Sequence, residues 1–337
     1  MPHPAWHPEN LVARLPCLRR RALLTQATRA FFTARGYTEV ETPYAVPTPG
    51  EEVHLRAFAT RREYSDGAAE NLWLHTSPEF AMKKLLVGGA GPIFQLARVW
   101  RNGEGSDLHA AEFTMLEWYR PGATLDGLIA ETMALLRAVL PPVVTCRGVA
   151  TDLGGVERLT LGEAFALHVG ADLLGTAGDA PALAAAAGVR LRANETWEDL
   201  FFRLLLARVE PHLGRAHPTF LTHWPAAQAA LARRDPADPR VAERFELFVC
   251  GVELANAFVE LTDAAEQRAR FVADRARRHA LAHAGSATAP DPDWPLDEDF
   301  LAALAHGMPA SAGIALGFDR LAMIAAGADR IEQVLWL

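Results

Sequence analysis

The sequence predicts an α+β fold, an antiparallel sheet flanked by helices. Three observations carry this. Two apolar, aromatic-rich segments, PIFQLARVWRN and EFTMLEWYRP, lie on either side of a short polar stretch containing glycine, the layout of a long antiparallel hairpin. Helical and strand patterns come in blocks (helix, strands, helices, strands, helix) and not in the alternation of a βαβ chain. The chain has 337 residues, half of them apolar and 22% charged, enough for a large core in one large domain or two smaller ones.

LRRRALLTQATRAFFTARG places apolar residues at Leu23, Ala27, Ala30 and Phe31 and closes on Gly36, predicting a helix over 18–36. YTEVETP alternates as a strand and halts at Pro43, and Pro43, Pro47 and Pro49 make an irregular connector. NLWLHTSPEFAMKKLLVGG reads as a strand followed by a helix, with Thr76-x-x-Glu79 in the form of a capping box. An amphipathic helix over 126–140 ends at Pro141-Pro142. Residues 160–240, rich in alanine, read as a mainly helical insertion within a single domain spanning 1–337. VAERFELFVCGVELANAFVELTD returns to strand character, DAAEQRARFVADRARRHALAHAG is a charged helix, and SAGIALGFDRLAMIAAG is a glycine-spaced strand running into a helix.

Composition narrows the function classes. No run approaches the ~18 uncharged apolar residues of a membrane span. The start, MPHPAWHPENLVARLP, lacks the basic-then-apolar layout of a secretory leader. Cys17, Cys146 and Cys250 lie far apart with no paired spacing, which argues against a disulfide framework or a zinc site and fits a reducing cytoplasm. A net charge of −8 argues against sequence-independent nucleic-acid binding. Of 33 basic residues only Lys83 and Lys84 are lysine, which reads as compositional bias.

Four stretches could carry chemistry. In HTSPEFAMKKLL, Ser77 and Glu79 either face a pocket, with Glu79 offering a carboxylate to an amine, or simply start a helix. In RVWRNGEGSDLHAAEFTMLEWYR, Arg101 at the base of a hairpin suits a phosphate or carboxylate, because its planar fork gives two parallel hydrogen bonds. Phe113 could stack on a flat base, and Glu117 and Tyr119, two apart, share a strand face. The alternative is an exposed hairpin tip with an ordinary ion pair. In GVELANAFVELTD, Glu253 and Glu260 lie an odd number apart and face opposite sides unless a bulge intervenes. With Asn256 they could supply oxygen ligands to Mg²⁺, or they could be scattered acids on a solvated strand. In GIALGFDRL, Gly313 and Gly317 allow close backbone approach, and Arg320 could stabilise charge at phosphorus. Each string is weak alone.

In this order the stretches resemble the class II lysyl-tRNA synthetase catalytic core. EVETP is similar to its motif 1, RVWRN…AEFTMLEWY to motif 2, GIALGFDRL to motif 3, and ELANAFVELTD to its amino-acid and magnesium segment. The likeness runs from about residue 11 onward. The chain opens almost directly on the motif 1 helix, with no anticodon-binding barrel, so it resembles more closely the stand-alone paralogues that ligate lysine to elongation factor P. TSPE, FTMLEWYRP, VAERFE, GVELAN and GIALG share this likeness, as does Ala315 where the tRNA synthetases carry glycine.

The resemblance implies ATP-dependent activation of (R)-β-lysine, or lysine, to an adenylate and its transfer to a lysine of elongation factor P. It implies ATP and Mg²⁺ as cofactors, a homodimer formed through motif 1, and neither tRNA nor membrane as partner. Arg101 and Arg320 would be catalytic. Arg101, Asn102, Glu104, Phe113, Glu253, Leu254, Gly317 and Arg320 would meet ATP. Ser77, Glu79, Glu117, Tyr119, Asn256, Glu260 and Ala315 would hold the amino acid, and Glu253 and Glu260 the metal. The chain departs from the family at Gly103, where motif 2 has a glutamate, with Glu104 one residue late. It departs again at Ala110, where the family has an ATP-contacting asparagine, and at Ala257, where it has glycine. These departures keep two other readings open. One is a weakened paralogue that binds amino acid or adenylate as a regulator; the other is an aminoacyl ligase with a different acceptor.

Overall fold

The computed structural model describes residues 4–229, 231–283 and 294–337. Two compact units emerge, one from Met1–Thr124 with Glu260–Leu337 and the other from Leu125–Val259.

The first unit opens with α1 (Pro8–Thr33), then β1 (Thr38–Glu39), β2 (Ala45–Val46), β3 (Phe58–Glu63), β4 (Ala69–Leu74), α2 (Glu79–Val87), β5 (Ile93–Trp100) and β6 (Glu112–Pro121). The hairpin of β5 and β6 pairs Ile93 with Tyr119 through to Trp100 with Glu112, as the sequence predicts. The second unit holds α3 (Leu125–Val139), β7 (Val143–Cys146), β8 (Val149–Asp152), β9 (Glu157–Thr160), α4 (Leu161–His168), α5 (Ala180–Ala186), α6 (Trp197–Leu204), β10 (Thr219–Pro225), β11 (Val241–Val249) and β12 (Val252–Val259). The chain then completes the first unit with α7 (Ala264–His283), α8 (Glu298–Gly307), β13 (Ser311–Gly317) and α9 (Phe318–Ala326).

In the first unit β1 runs parallel to β5, β5 antiparallel to β6, and β6 antiparallel to β13, with Gly313 opposite Tyr119 and Ala315 opposite Glu117. Strand side chains alternate between faces, so this register sorts the sheet into two surfaces. One face carries Phe94 and Trp118, on which Phe32 of α1 packs with ring centroids 4.8 and 5.1 Å away. The other carries Gln95, Phe113, Met115, Glu117, Tyr119, Gly313, Ala315 and Gly317, and it holds most of the candidate residues of this unit. Arg21 of α1 forms a buried ion pair with Asp319, whose other oxygen accepts from the Thr114 backbone N–H at 3.0 Å. That link ties α1, β6 and α9 together.

The second unit orders its strands β9, β10, β11, β12, with β9 parallel to β10 and the rest antiparallel. Its core is Phe165, Trp197, Phe201, Trp224 and Phe248 with surrounding leucines. The 160–240 segment holds the short helices α4, α5 and α6 together with strand β10, and helix covers less than half of it.

Three local expectations need correction. The first helix starts at Pro8, and its buried face is Leu18, Arg21, Leu24, Thr28, Phe31 and Phe32; Leu23 is exposed. The strand expected over 37–43 pairs only at Thr38 and Glu39, because Pro43 follows closely. The capping box at Thr76 does not form. Thr76 Oγ1 donates to the Pro49 carbonyl at 2.9 Å, and it is Ser77 Oγ that accepts the Glu79 N–H at 3.0 Å.

Candidate active site

The first unit builds a buried, acid-rich cluster of side chains. Glu117 of β6 is fully buried, and each of its oxygens meets a hydroxyl: Ser77 Oγ donates at 2.6 Å and Tyr119 Oη at 2.9 Å. Beside it Lys83 Nζ reaches Glu79 Oε1 at 2.6 Å and Glu260 Oε2 at 2.5 Å. Three carboxylates against one ammonium leave a formal charge of −2 when all are ionised. Burial, then repulsion from Glu79, pushes the Glu117 carboxyl up to about 8. Burial raises Glu260 too, against the pull of Lys83, and Glu79 is likewise raised by burial. A site that is costly for its own anions when empty is one that a bound cation relieves.

Gly313 makes this packing possible. A Cβ there would stand 2.5 Å from Glu260 Oε1 and would overlap the Tyr119 ring. The close approach expected of Gly313 is therefore to the pocket's own side chains. A cavity of about 390 Å³ lies against the Ser77–Glu79 segment, with Pro49, Glu52, Thr76 and Lys84 among its lining residues.

Arg101 follows β5. Its backbone N–H bonds Ala111 O at 2.9 Å, which closes the hairpin base. Its guanidinium sits 5.3 Å from the Phe113 ring centroid and 4.0 Å from Glu104 Oε1. Its buried Nε has no hydrogen-bond partner among the described residues, and an orphaned cationic donor of this kind fits an anionic ligand. Gly103 has φ +85°, a left-handed turn conformation, and the turn brings Glu104 next to Arg101. The Asn102 N–H bonds Arg56 O at 2.8 Å. Arg320, in the first turn of α9, reaches back to the same loop, with Nη2 2.6 Å from His109 Nε2 and Nε donating to Leu108 O at 3.3 Å. Gly317 precedes that turn as the N-cap of α9, and Ala315 packs with Phe113 against Ala97, Val99 and Met115.

The second unit holds Glu253, Leu254 and Asn256 on β12. Register shifts there, with Leu247 opposite Ala255 but Phe248 opposite Glu253, so one extra residue is inserted at Leu254. That bulge resolves the odd spacing of Glu253 and Glu260 in favour of a shared side. The carboxylate close to Glu253 is Glu246 of β11, whose pKa is pushed up to about 8 by burial and then by repulsion from Glu253. Arg244 holds Glu246 at 2.8 Å and donates to Asn256 Oδ1 at 3.1 Å, so the Asn256 oxygen already faces a cation.

Sequence reading thus missed Lys83, Glu246 and His109. Lys83 was signalled by being one of only two lysines among 33 basic residues, and Glu246 by lying on the strand that precedes the GVELAN segment. His109 gave no signal of its own.

A family model for class II tRNA synthetases (D, K and N) matches residues 14–337. Among similar curated proteins, those of Edwardsiella ictaluri and Klebsiella pneumoniae subsp. pneumoniae are each 43% identical over 337 residues, and that of Pectobacterium carotovorum subsp. carotovorum is 42% identical over 339. Each comparison covers 98% of this chain and 96% of the relative, and each relative is named elongation factor P–(R)-β-lysine ligase.

Proposed function

We propose, for a chain that belongs to the class II tRNA synthetase family (D, K and N), that it is an ATP-dependent aminoacyl ligase acting on elongation factor P. It activates (R)-β-lysine, or lysine, to an adenylate and passes the acyl group to a lysine side chain of that factor. The observation that carries this reading is the buried cluster of Glu79, Glu117 and Glu260 around Lys83, at the edge of the cavity that Ser77 and Glu79 line; its carboxylates outnumber its ammonium, which suits an amino acid with two ammonium groups.

In this reading the chain works by positioning and electrostatics, with no covalent enzyme intermediate. Ser77, Glu79, Glu117, Tyr119 and Glu260 hold the two ammonium groups, and Ala315 shapes the wall beside them. Arg101 takes the α-phosphate and the substrate carboxylate, drawing their oxygens together and stabilising the charge that builds on phosphorus. Arg320, Asn102, Glu104, Phe113, Leu254 and Gly317 meet the rest of ATP. Phe113 offers its face to the base. Glu253 and Glu246, whose repulsion a divalent cation would relieve, would offer oxygen donors to Mg²⁺, which would neutralise phosphate charge. The acceptor amine then attacks the acyl carbon and AMP leaves. The active form is a homodimer built on α1, where Val12 and Leu23 are exposed, and light scattering at micromolar concentration should give twice the chain mass.

The test is pyrophosphate exchange into ATP with (R)-β-lysine, L-lysine and other amino acids. Exchange is expected with a lysine isomer, and mass spectrometry of co-incubated elongation factor P should show one added residue. No exchange with any amino acid, at high protein and ATP, sinks the proposal. Exchange without modification of the factor would move the acceptor elsewhere.

A further inference from the structure

The two lysines of this arginine-rich chain are adjacent on α2 and turn to different partners. Lys84 is partly exposed and pairs with Asp297 and Asp299 at the start of α8, at 3.0 and 2.8 Å. Lys83 is 1% exposed and spans two carboxylates from different elements, Glu79 one turn back on its own helix and Glu260 just after β12. A compact ammonium with three rotatable donors can bridge two such groups. A guanidinium is larger and planar, and its fork prefers one carboxylate.

We propose that Lys83 is a positioning residue that holds Glu79 and Glu260 in place and sets the charge of the pocket, so that it selects an amino acid with two ammonium groups. This rests on the function proposed above and assigns a role to a side chain that touches the carboxylates, not the reacting atoms. Without Lys83 the three carboxylates are buried together with no countercharge, and they can escape only by taking up protons. A protonated pocket no longer distinguishes an ammonium from a methyl group. With Lys83 one negative charge is matched internally, leaving a formal −2 for the two ammonium groups of the substrate once the three carboxylates ionise. Burial alone would discharge Lys83, but attraction from Glu260 and then Glu79 outweighs it and raises its pKa, so the ammonium persists. The other titratable groups facing the cluster include Glu117, Tyr119 and, from beside Glu79, Glu52. None of these supplies positive charge.

The experiment compares wild type, Lys83→Met and Lys83→Arg in pyrophosphate exchange with L-lysine, with norleucine, which lacks the side-chain ammonium, and with varied ATP. Lys83→Met should raise the lysine KM at least tenfold, reduce the preference for lysine over norleucine by a similar factor, and leave the ATP KM within twofold. A purely structural role would instead weaken lysine and ATP alike. Lys83→Arg keeps the charge and moves the donors, so it should raise the lysine KM while retaining the preference over norleucine. A folded Lys83→Met with an unchanged lysine KM and preference overturns the inference. Should that variant fail to fold, an unchanged lysine KM in Lys83→Arg overturns the positioning role. Wild type inactive with every diamino acid would instead overturn the proposed function, and with it the part given to Lys83.

Discussion

Arg101 and Glu117 are the side chains whose surroundings say most about what they are for. Arg101 leaves a buried donor unpaired beside an aromatic face, a cost that a bound phosphate or carboxylate would offset. Arg101→Ala should lower the rate of pyrophosphate exchange by roughly 10²–10³-fold, the size found when one transition-state donor is removed. The melting temperature should stay unchanged, and retained exchange would show that the hairpin has been misplaced. Glu117 differs in kind, since its two oxygens are already satisfied by Ser77 and Tyr119 and its cost lies in its charge. Glu117→Gln should raise the lysine KM about 10- to 100-fold, the worth of about 1.5–3 kcal/mol for a hydrogen bond to a charged group. It should also raise the melting temperature of the unliganded protein at neutral pH, because folding no longer has to bury a carboxyl that must take up a proton. Steady-state kinetics and a thermal melt check both halves, and a lysine KM that does not move would remove Glu117 from the amine site. At this scale the sequence was partly legible. Ser77, Glu79, Glu117, Tyr119 and Glu260 do converge, but Lys83 reads as one more basic helix residue until the fold shows the two carboxylates it spans.

At the scale of elements, alternation does most of the work. Phe113, Glu117 and Tyr119 could be assigned to one face from a period of two, and the hairpin was predictable because a polar turn separates two aromatic runs. Ala315 and Gly317 join that face only through the register of β13 on β6, a long-range pairing that no local pattern encodes. The bulge at Leu254 is similar. Sequence could say that an odd spacing needed one, but not that Glu253 would end near Glu246. The apolar stripe of α1 was misplaced because its buried face includes two polar residues, Thr28 and Arg21, the latter entering the core by pairing with Asp319 on another element. Gly313 carries the element-scale prediction. Adding a methyl group there overlaps Tyr119 and crowds Glu260, and overpacking of this kind costs about 1–3 kcal/mol. Gly313→Ala should therefore lower the melting temperature and raise the lysine KM while leaving the ATP KM close to wild type. Equal lysine affinity in the two proteins, measured by calorimetry, would mean that β13 does not shape the pocket.

For the whole molecule, the pocket's charge becomes a pH dependence of stability. A carboxyl raised from 4.5 to about 8 on folding, as for Glu117, holds a proton in the folded protein that the unfolded chain has released. The stability linked to it is fully present below pH 4.5 and is lost as pH rises through about 8. Glu246 follows the same course, and Glu260 shifts in the same direction. A diamino acid reverses the penalty in the amine pocket, since its ammonium groups favour the ionised carboxylates and binding expels their protons. The rise in melting temperature produced by lysine should accordingly be larger at pH 8 than at pH 6, as measured by scanning calorimetry at a fixed lysine concentration. Protons released on binding should also make the calorimetric enthalpy differ between phosphate and Tris buffers at pH 7. Glu117→Gln should shrink both effects, because it removes one of the titrating groups. Equal thermal shifts at the two pH values, together with equal enthalpies in the two buffers, would mean that lysine does not bind against these carboxylates. The charge match on which the amine pocket rests would then be wrong, whatever the fold of the chain.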